Sequence, residues 1–184
     1  MLAMSTSTVV RDATIDDLDA IRAVAAAANA EFAAAMGDRL FAGYLANVLD
    51  VESRLRDGTV LVAEHGGSIV GTITLFANIH DEGMPVRMPD GTAGIRATAV
   101  DPAARGHGVG GTLVATAIDL ARAARASSLA LHTAPVMRDA RRLYERHGFL
   151  RRPEYDWVAN AFFDAIDGER LDALAFVLDL ADGP

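Results

Sequence analysis

Apolar residues recur along this chain with two different periods, and each period predicts one type of element. The first helical stretch follows Thr14, which stands three residues before Asp17 as in a capping box. Its apolar positions recur at helical spacing at Ile15, Leu18, Ile21, Val24 and Ala25. Gly37 marks its predicted end. A second helix is predicted from about Arg39 to Val48.

Strand patterns and two more helices occupy the rest of the chain. The predicted strands are Val9 to Arg11, Thr59 to Glu64, Ile69 to Ala77, Thr92 to Val100, Ser128 to Thr133 and Leu174 to Leu180. The turn residues His65-Gly66-Gly67-Ser68 join the second and third strands as a hairpin. Helices are predicted at Gly108 to Ala124 and Arg138 to His147. Asn78 to Gly91 lacks a period and is rich in turn residues, so we interpret it as a loop near a site entrance.

The composition predicts one folded domain over residues 1–184. Hydrophobic residues make up 51% of the chain and charged residues 23%, which is typical of a globular protein. The longest uninterrupted apolar stretch, Ala23 to Ala28, is far shorter than the roughly 20 residues of a transmembrane helix. Met1 to Val10 has no basic residue and does not resemble a secretory signal. We therefore expect a cytoplasmic protein without a membrane partner.

Charge and cysteine content narrow the chemistry further. The formal net charge of -8 and the pI near 5.0 disfavour nucleic acid as a partner, because the surface repels polyphosphates at long range. The chain contains no cysteine, which excludes disulfides, a zinc ribbon and a cysteine nucleophile. We predict no metal site. Any acyl transfer would therefore proceed by direct attack on the donor in a ternary complex.

The glycine-rich segment between the fourth strand and the helix after it is the strongest chemical signal. It consists of Arg105, Gly106, His107, Gly108, Val109, Gly110 and Gly111. Glycine reaches positive φ and lets the backbone approach an anion closely. Amide N–H groups at a helix N-terminus point at phosphate oxygens, and a neighbouring arginine adds charge-assisted hydrogen bonds. The segment therefore predicts a phosphate-binding loop.

This loop and its flanks resemble the GCN5-related N-acetyltransferases, the GNAT family. The resemblance rests on Arg-x-x-Gly-x-Gly after Val100-Asp101-Pro102, on the opening Val10 to Thr14 with Asp17, and on Leu143 to Phe149. It covers the chain up to about Phe149. It implies an α/β (α+β) fold in which a mixed, mostly antiparallel sheet is flanked by about four helices.

The resemblance also implies a cofactor and site residues. Acetyl-CoA (coenzyme A) would be bound by the glycine loop and by the backbone of Ala99 and Val100, in a gap between the strands Ile95 to Val100 and Leu129 to Thr133. Tyr144 matches the tyrosine that protonates the leaving thiolate in many family members. Arg138, Arg141 and Arg142 are candidates for the adenosine phosphates.

A nicotinamide-binding loop is the rival interpretation. Gly106, Gly108 and Gly111 also satisfy Gly-x-Gly-x-x-Gly, the dinucleotide fingerprint. That fold needs an acidic residue at the end of the next strand, but this strand ends in His132-Thr133-Ala134-Pro135. Only one βαβ unit is present. The pattern therefore favours the acyl-CoA loop.

The sequence leaves the identity of the general base open. Many relatives carry a glutamate where this chain has Gly94, and an asparagine where it has Met137. Three alternatives remain: a water held by backbone carbonyls, His132, or a residue of the long loop such as His80, Asp81 or Glu82. His132 is equally compatible with a purely structural strand histidine.

The acceptor is a primary amine of a small molecule or of a protein. By resemblance its pocket would be walled by Phe32, Met36, Phe41, Tyr44, Ile79, His80, Asp81 and Glu82. We expect a small-molecule N-acetyltransferase. The alternatives are a protein lysine or N-terminal acetyltransferase and a non-catalytic acyl-CoA-binding module, the latter suggested by Gly94 and Met137. Homodimers are common among relatives, so a homodimer is compatible with the resemblance.

Overall fold

One mixed sheet organises the molecule. The computed structural model describes residues 7–82, 85–160, 163 and 168–180. Its strands are β1 Val9–Asp12, β2 Thr59–His65, β3 Ser68–Phe76, β4 Thr92–Val100, β5 Ser128–Thr133, β6 Leu150–Arg151, β7 Trp157–Val158 and β8 Asp172–Asp179. Their order is β1-β2-β3-β4-β5-β8-β6, with β7 paired to β8. β4 and β5 run parallel, and every other described pair is antiparallel. The predicted mixed, mostly antiparallel sheet is confirmed.

Six α-helices cover this sheet in the part of the chain that the structure describes. They are α1 Leu18–Asn29, α2 Ala33–Met36, α3 Asp38–Leu49, α4 Val51–Asp57, α5 Val109–Ala123 and α6 Arg138–Arg146. The predicted first helix is interrupted after Asn29 by a 3₁₀ turn, and α2 then ends at Gly37, whose φ is 85°. The sequence did not predict α4, which begins where the Asp50 side chain accepts a hydrogen bond from Ser53 N–H. The two helices beyond the predicted four, α2 and α4, are both short.

Both faces of the sheet are buried, which explains the nearly continuous apolar run of β2. Leu61 and Ala63 belong to the cluster that packs under α5. Val60 and Val62 alternate with them and pack against residues of α1 and α4 instead. Successive side chains of a strand point to opposite faces, so helices lie on either side of the sheet. The glycine-rich start of α5 is thereby fixed against the middle of the sheet.

The parallel pair β4 and β5 separates after three residues. Thr92, Ala93 and Gly94 pair with Ser128, Leu129 and Ala130, and the ladder stops there. On the other edge of β4, Thr74 pairs with Arg96 and Thr72 pairs with Ala99, so two residues of β4 oppose one of β3. This is a β-bulge, and Ala97 within it has a φ of 52°. The predicted gap between Ile95 to Val100 and the end of β5 is present.

The segment between β3 and β4 differs from its predicted role. Ile79 and Met88 are buried and pack with Ala130, and His80 Nε2 lies 3.2 Å from Met88 O. None of the described residues between β3 and β4 lines either of the two cavities described below. The expected loop at a site entrance is therefore wrong for these residues. Gly83 and Met84 lie outside the described residues.

No helix in the described ranges is both long and apolar enough to cross a membrane.

Candidate active site

A long cavity of about 840 Å³ opens where β4 and β5 separate. Its walls come from the end of α1, the second half of β4, the glycine loop and α6. The structure brings nearly all predicted site residues to these walls: Ala99, Val100, Arg105, Gly106, Gly108, Val109, Gly110, Gly111 and Tyr144. These residues are spread over 46 positions of sequence but share one cavity because β4, α5 and α6 meet there.

The glycine loop presents the N-terminus of α5 to this cavity. Gly106 and Gly108 have φ values of 81° and 80°, which β-carbon-bearing residues rarely adopt. A β-carbon at either position would meet no atom within 4 Å, so the glycines are required by backbone conformation rather than by crowding. No side chain caps α5 at Gly108. The first N–H groups of a helix have no partner within the helix, so those of α5 are available to an anion.

The two side chains of the loop have different surroundings. Arg105 Nη2 lies 2.8 Å from Glu31 Oε1 and donates to Ala28 O at 3.1 Å, so the guanidinium lies against the end of α1. The His107 ring does not line the cavity. Its Nδ1 lies 3.1 Å from Arg105 O, and its ring lies 6.1 Å from the His65 ring. Of the predicted cofactor-binding residues, His107 alone has its side chain elsewhere.

Tyr144 reaches the cavity from the buried face of α6. Only 6% of the residue is exposed, and its ring packs edge-on against Phe149 at 5.8 Å. Burial raises the pKa of the phenol, and the nearby Thr98 hydroxyl offsets only part of this effect. The hydroxyl therefore stays protonated at neutral pH, as a proton donor requires. Thr98 Oγ1 is buried and makes no hydrogen bond of normal geometry with any described residue.

A smaller cavity of about 120 Å³ adjoins the long one. Residues common to both walls are Tyr44, Ile95, Arg96, Ala97, His132, Thr133 and Met137. The remainder of the small cavity is largely apolar and includes Trp157, Phe163 and Leu171. The two cavities therefore meet at the β4 bulge, beside the place where β4 and β5 separate.

His132 lies at this junction. Its Nε2 lies 2.9 Å from Tyr155 O, and its ring contacts Trp157 edge-on at 6.2 Å between centroids. Nδ1 is buried and has no hydrogen-bond partner among the described residues. Burial lowers the pKa of His132, so the imidazole is neutral at pH 7. Of the bases considered from the sequence, His132 is the only side chain that the described structure places on the cavities.

Arg96 is a cavity residue that the sequence analysis missed. It hydrogen-bonds Asn47 Oδ1, and Asn47 O accepts from Arg54 Nη1 at 3.2 Å. Burial, followed by repulsion from Arg96, lowers the pKa of Arg54 to about 10. Tyr44 donates to Asn29 Oδ1 at 2.8 Å, and burial raises its pKa. The sequence does contain a signal for Arg96, because it is the one charged residue in a strand of otherwise small or apolar residues.

Some of the other predicted residues line the cavities, and others do not. Phe32, Tyr44 and Met137 line the cavities, and so do Arg138 and Arg142 of α6 together with Arg146. Met36, Phe41, Ile79 and Arg141 do not. In the ranges that the structure describes, no group of three or more histidine or acidic side chains is placed to hold a metal ion.

The model of the Acetyltransferase (GNAT) family matches residues 24–149, which is more than half of the chain. No curated protein sequence matches.

The solved structures that are similar to this one include the following three. An N-acetyltransferase from Staphylococcus aureus Mu50 is 21% identical over 95% of this chain and 99% of its own, with a TM-score of 0.66. A ribosomal-protein-alanine N-acetyltransferase from Brucella melitensis is 26% identical over 94% and 99%, also with 0.66. A Salmonella typhimurium protein solved with its cofactor acetyl-CoA is 24% identical over 96% and 95%, with 0.64.

Proposed function

The chain belongs to the acetyltransferase (GNAT) family, and we propose that it transfers an acetyl group from acetyl-CoA to the primary amine of a small molecule. Acetyl-CoA is the donor that this family uses, and it supplies an activated thioester. The observation that carries the proposal is the uncapped, glycine-lined start of α5 facing a long cavity between separated strands.

The residues of this cavity suit such a cofactor. The free N–H groups of α5 would hold the pyrophosphate, with Arg105 beside them. Ala97 and Thr98 have no partner in the β3 ladder, and β4 has no partner in β5 beyond Gly94. Unpaired strand groups of this kind would bind the amides of the pantetheine arm as an added strand. Arg138, Arg142 and Arg146 add positive charge along α6.

Tyr144 would act as the acid that protonates the departing sulfur. It lines the long cavity, it is buried, and its raised pKa keeps the proton on the phenol until the transition state. The chain has no cysteine, so the amine attacks the thioester directly. The β4 bulge would lie at the reacting carbonyl, because the two cavities meet there.

The size of the second cavity supports a small acceptor. About 120 Å³ lined by Tyr44, Trp157, Phe163 and Leu171 matches the apolar body of a compact amine rather than an extended peptide. A protein N-terminus is the second candidate acceptor, because one of the similar structures is that of a ribosomal-protein-alanine N-acetyltransferase.

Thiol release from acetyl-CoA in the presence of amines tests the proposal. A panel of arylalkyl amines, amino acids and aminoglycosides is incubated with the protein, and the free thiol is measured together with the acetylated product. We expect turnover with compact amines. Site-specific acetylation of added proteins, found by mass spectrometry without turnover of any small amine, would favour the protein acceptor. If the protein binds coenzyme A but releases no thiol from acetyl-CoA in the presence of either acceptor class, a non-catalytic module would be favoured.

A further inference from the structure

We propose that the acceptor is an α-amino acid with an apolar side chain and that Arg96 binds its carboxylate. The assignment rests on the proposed function and names the substrate class within it. Two observations carry it. Arg96 lies on the walls of both cavities, and most of the other residues around the small cavity are apolar.

The side chain of Arg96 leaves β4 toward α3, at the junction of the two cavities. Its Nη2 donates to Asn47 Oδ1, and Asn47 belongs to α3 and lines the small cavity as well. Burial is the largest effect on the pKa of Tyr44 and of His132, but the nearby charge of Arg96 lowers the pKa of both. These two residues line both cavities, and Arg96 is only half-buried between them.

A guanidinium in a cavity of this kind selects an anion. Its planar set of five N–H donors can bind a carboxylate through two parallel hydrogen bonds. A guanidinium serves several acceptors at once, so the bond from Arg96 to Asn47 is compatible with a bound carboxylate. Its fork matches the geometry of a carboxylate, which a neutral alcohol or amide of the same size cannot reproduce.

Arg54 adds a second positive charge next to Arg96. Only 6% of Arg54 is exposed, and its Nη1 donates to Asn47 O at 3.2 Å. The same asparagine therefore binds both arginines. Burial, followed by repulsion from Arg96, lowers the pKa of Arg54 to about 10. A carboxylate bound by Arg96 would offset this repulsion.

The small cavity has one acidic wall residue among those that the structure describes. This residue is Asp172, and its Oδ1 lies 2.6 Å from Arg170 Nη2. The ion pair reduces the repulsion that Asp172 would exert on a ligand carboxylate. His132 is neutral at pH 7, because burial lowers its pKa. The charges on the wall of the small cavity are therefore compatible with an anionic group beside Arg96.

The apolar part of the small cavity fits the side chain of the amino acid. Trp157, Phe163 and Leu171 line it, and its volume is about 120 Å³. Arg96 directly precedes Ala97, the residue of the β4 bulge at which the two cavities meet. The amine and the carboxylate of an α-amino acid share one carbon. A carboxylate bound by Arg96 therefore holds the amine at the junction, where the thioester would lie.

The reaction joins the α-nitrogen to the acetyl carbon and breaks the carbon–sulfur bond of acetyl-CoA. The α-ammonium group loses two protons in total. One compensates for the proton that the departing sulfur takes up, and the other goes to solvent. The products are the N-acetyl amino acid, coenzyme A as the free thiol, and one proton.

Leucine and leucinol test the assignment, because they share a side chain and an amine but only leucine has a carboxylate. We expect kcat/KM for leucine to exceed that for leucinol by roughly 10- to 100-fold in the wild type. Serine keeps the carboxylate without the apolar side chain and should be poorer than leucine by about tenfold or more. Equal values for leucine and serine would overturn the assignment of the apolar walls.

Arg96→Gln should remove the preference for the carboxylate. We expect kcat/KM for leucine to fall by roughly 10- to 100-fold, mainly through KM, while the value for leucinol changes by less than about threefold. Damage to the fold would lower both values alike. Arg96→Lys keeps the charge but not the planar fork, so it should retain part of the preference. A leucine-to-leucinol ratio in Arg96→Gln equal to that of the wild type overturns the assignment.

Arg122→Gln is the matched control. Arg122 lies on α5, pairs with Asp119 and does not line either cavity. The variant removes the same unit of positive charge, so its ratio of leucine to leucinol should equal that of the wild type. If Arg96→Gln does not fold, the wild-type ratio decides, and a value of one or below overturns the assignment.

Trp157 provides a test that does not depend on turnover. It is the only tryptophan of the chain and lines the small cavity, so ligands bound there should change its fluorescence. With coenzyme A present, leucine should bind roughly 10-fold or more tightly than leucinol, and this difference should disappear in Arg96→Gln. Equal affinities in the wild type would overturn the carboxylate site. Absence of turnover with every amine contradicts the proposed function, whereas turnover of leucinol at or above that of leucine contradicts only the assignment of the amino acid.

Discussion

Arg105 Nη2 and Glu31 Oε1 lie 2.8 Å apart and connect the glycine loop to the turn after α1. Both residues line the long cavity, and the same Nη2 also donates to Ala28 O. The arginine expected to bind phosphate is therefore partly neutralised by a carboxylate. Among the described residues its Nε and Nη1 groups make no hydrogen bond that competes with an anion, whereas the Glu31 carboxylate would repel that anion.

Removing this carboxylate should strengthen coenzyme A binding. We expect Glu31→Gln to lower the Kd by about two- to fivefold at low salt, because exposed ion pairs contribute about 1 kcal/mol or less. Calorimetry at low and high ionic strength measures it, and the gain should shrink as salt screens the charges. Arg105→Gln should weaken binding over the same salt range.

Asp19→Asn provides the charge control for Glu31→Gln. Asp19 is fully exposed on α1, pairs with Arg22 and does not line the cavity. Asp19→Asn removes the same unit of charge as Glu31→Gln. An equal gain in coenzyme A affinity from both substitutions would mean that net charge, and not the contact with Arg105, determines the affinity.

Tyr144→Phe should lower kcat without weakening the binding of acetyl-CoA. The phenol supplies a proton only in the transition state, so we expect kcat and kcat/KM to fall together by roughly 100-fold. Phenylalanine preserves the edge-on contact with Phe149, so the free energy of unfolding should change by less than about 1.5 kcal/mol. Tyr155→Phe is the control, because the Tyr155 side chain packs away from both cavities. A kcat retained in Tyr144→Phe would exclude Tyr144 from proton transfer.

The sequence predicted elements whose pattern is local. The strand from Ser128 to Thr133 coincides with β5, and the helices after Gly37 and Gly108 begin within a residue of their predicted starts. Each of these has a glycine or a period that marks it. α4 was missed because its seven residues are too few to show a helical period, and its cap at Asp50 follows the preceding helix directly.

The candidate site was predictable only where backbone chemistry defines it. The glycine loop and Tyr144 were found because a phosphate site needs glycine and because the resemblance located the tyrosine. Arg96 and the small cavity were not found, because they depend on the register of β3 against β4 and on a bulge at Ala97. Nothing in a single sequence marks a bulge formed by alanine, which rarely adopts a φ of 52°. The long loop was misassigned because its buried residues, Ile79 and Met88, are isolated among turn residues.

Gly108→Ala should separate the cost of the loop conformation from its role in binding. Gly108 and the hairpin residue Gly67 have φ values of 80° and 82°, and a β-carbon meets no atom within 4 Å at either position. Alanine at each should therefore destabilise the fold by a similar amount, about 1–2 kcal/mol. Denaturant unfolding measures this cost.

Only the substitution at Gly108 should affect coenzyme A, because only that residue begins α5 at the cavity. We expect a loss of at least tenfold in affinity for Gly108→Ala and less than twofold for Gly67→Ala, both measured by calorimetry. Equal affinities in the two variants would contradict phosphate binding by this loop.

The ion pair between Arg11 and Asp17 should make stability depend on pH in the acid range. Arg11 donates to both oxygens of Asp17 at 2.8 and 2.9 Å, and the Thr14 N–H donates to Asp17 Oδ2 at 2.7 Å. These bonds, that of Arg11 first, hold the pKa of Asp17 well below its ordinary value, although burial opposes them. A carboxyl whose pKa is lower in the folded state stabilises the fold above the unfolded pKa, about 3.9. Its contribution is lost as the pH falls from about 5 toward the folded pKa.

Asp17→Asn should therefore reduce the free energy of unfolding by about 1–2 kcal/mol at pH 7, and this difference from the wild type should shrink between pH 5 and pH 2. Urea unfolding at several pH values measures both. Asp16→Asn, at the exposed neighbouring position, should change stability by less than about 0.5 kcal/mol throughout. A difference for Asp17→Asn that stays constant with pH would mean that the side chain acts through packing and neutral hydrogen bonds, and that the charge on its carboxylate is not what joins β1 to the start of α1.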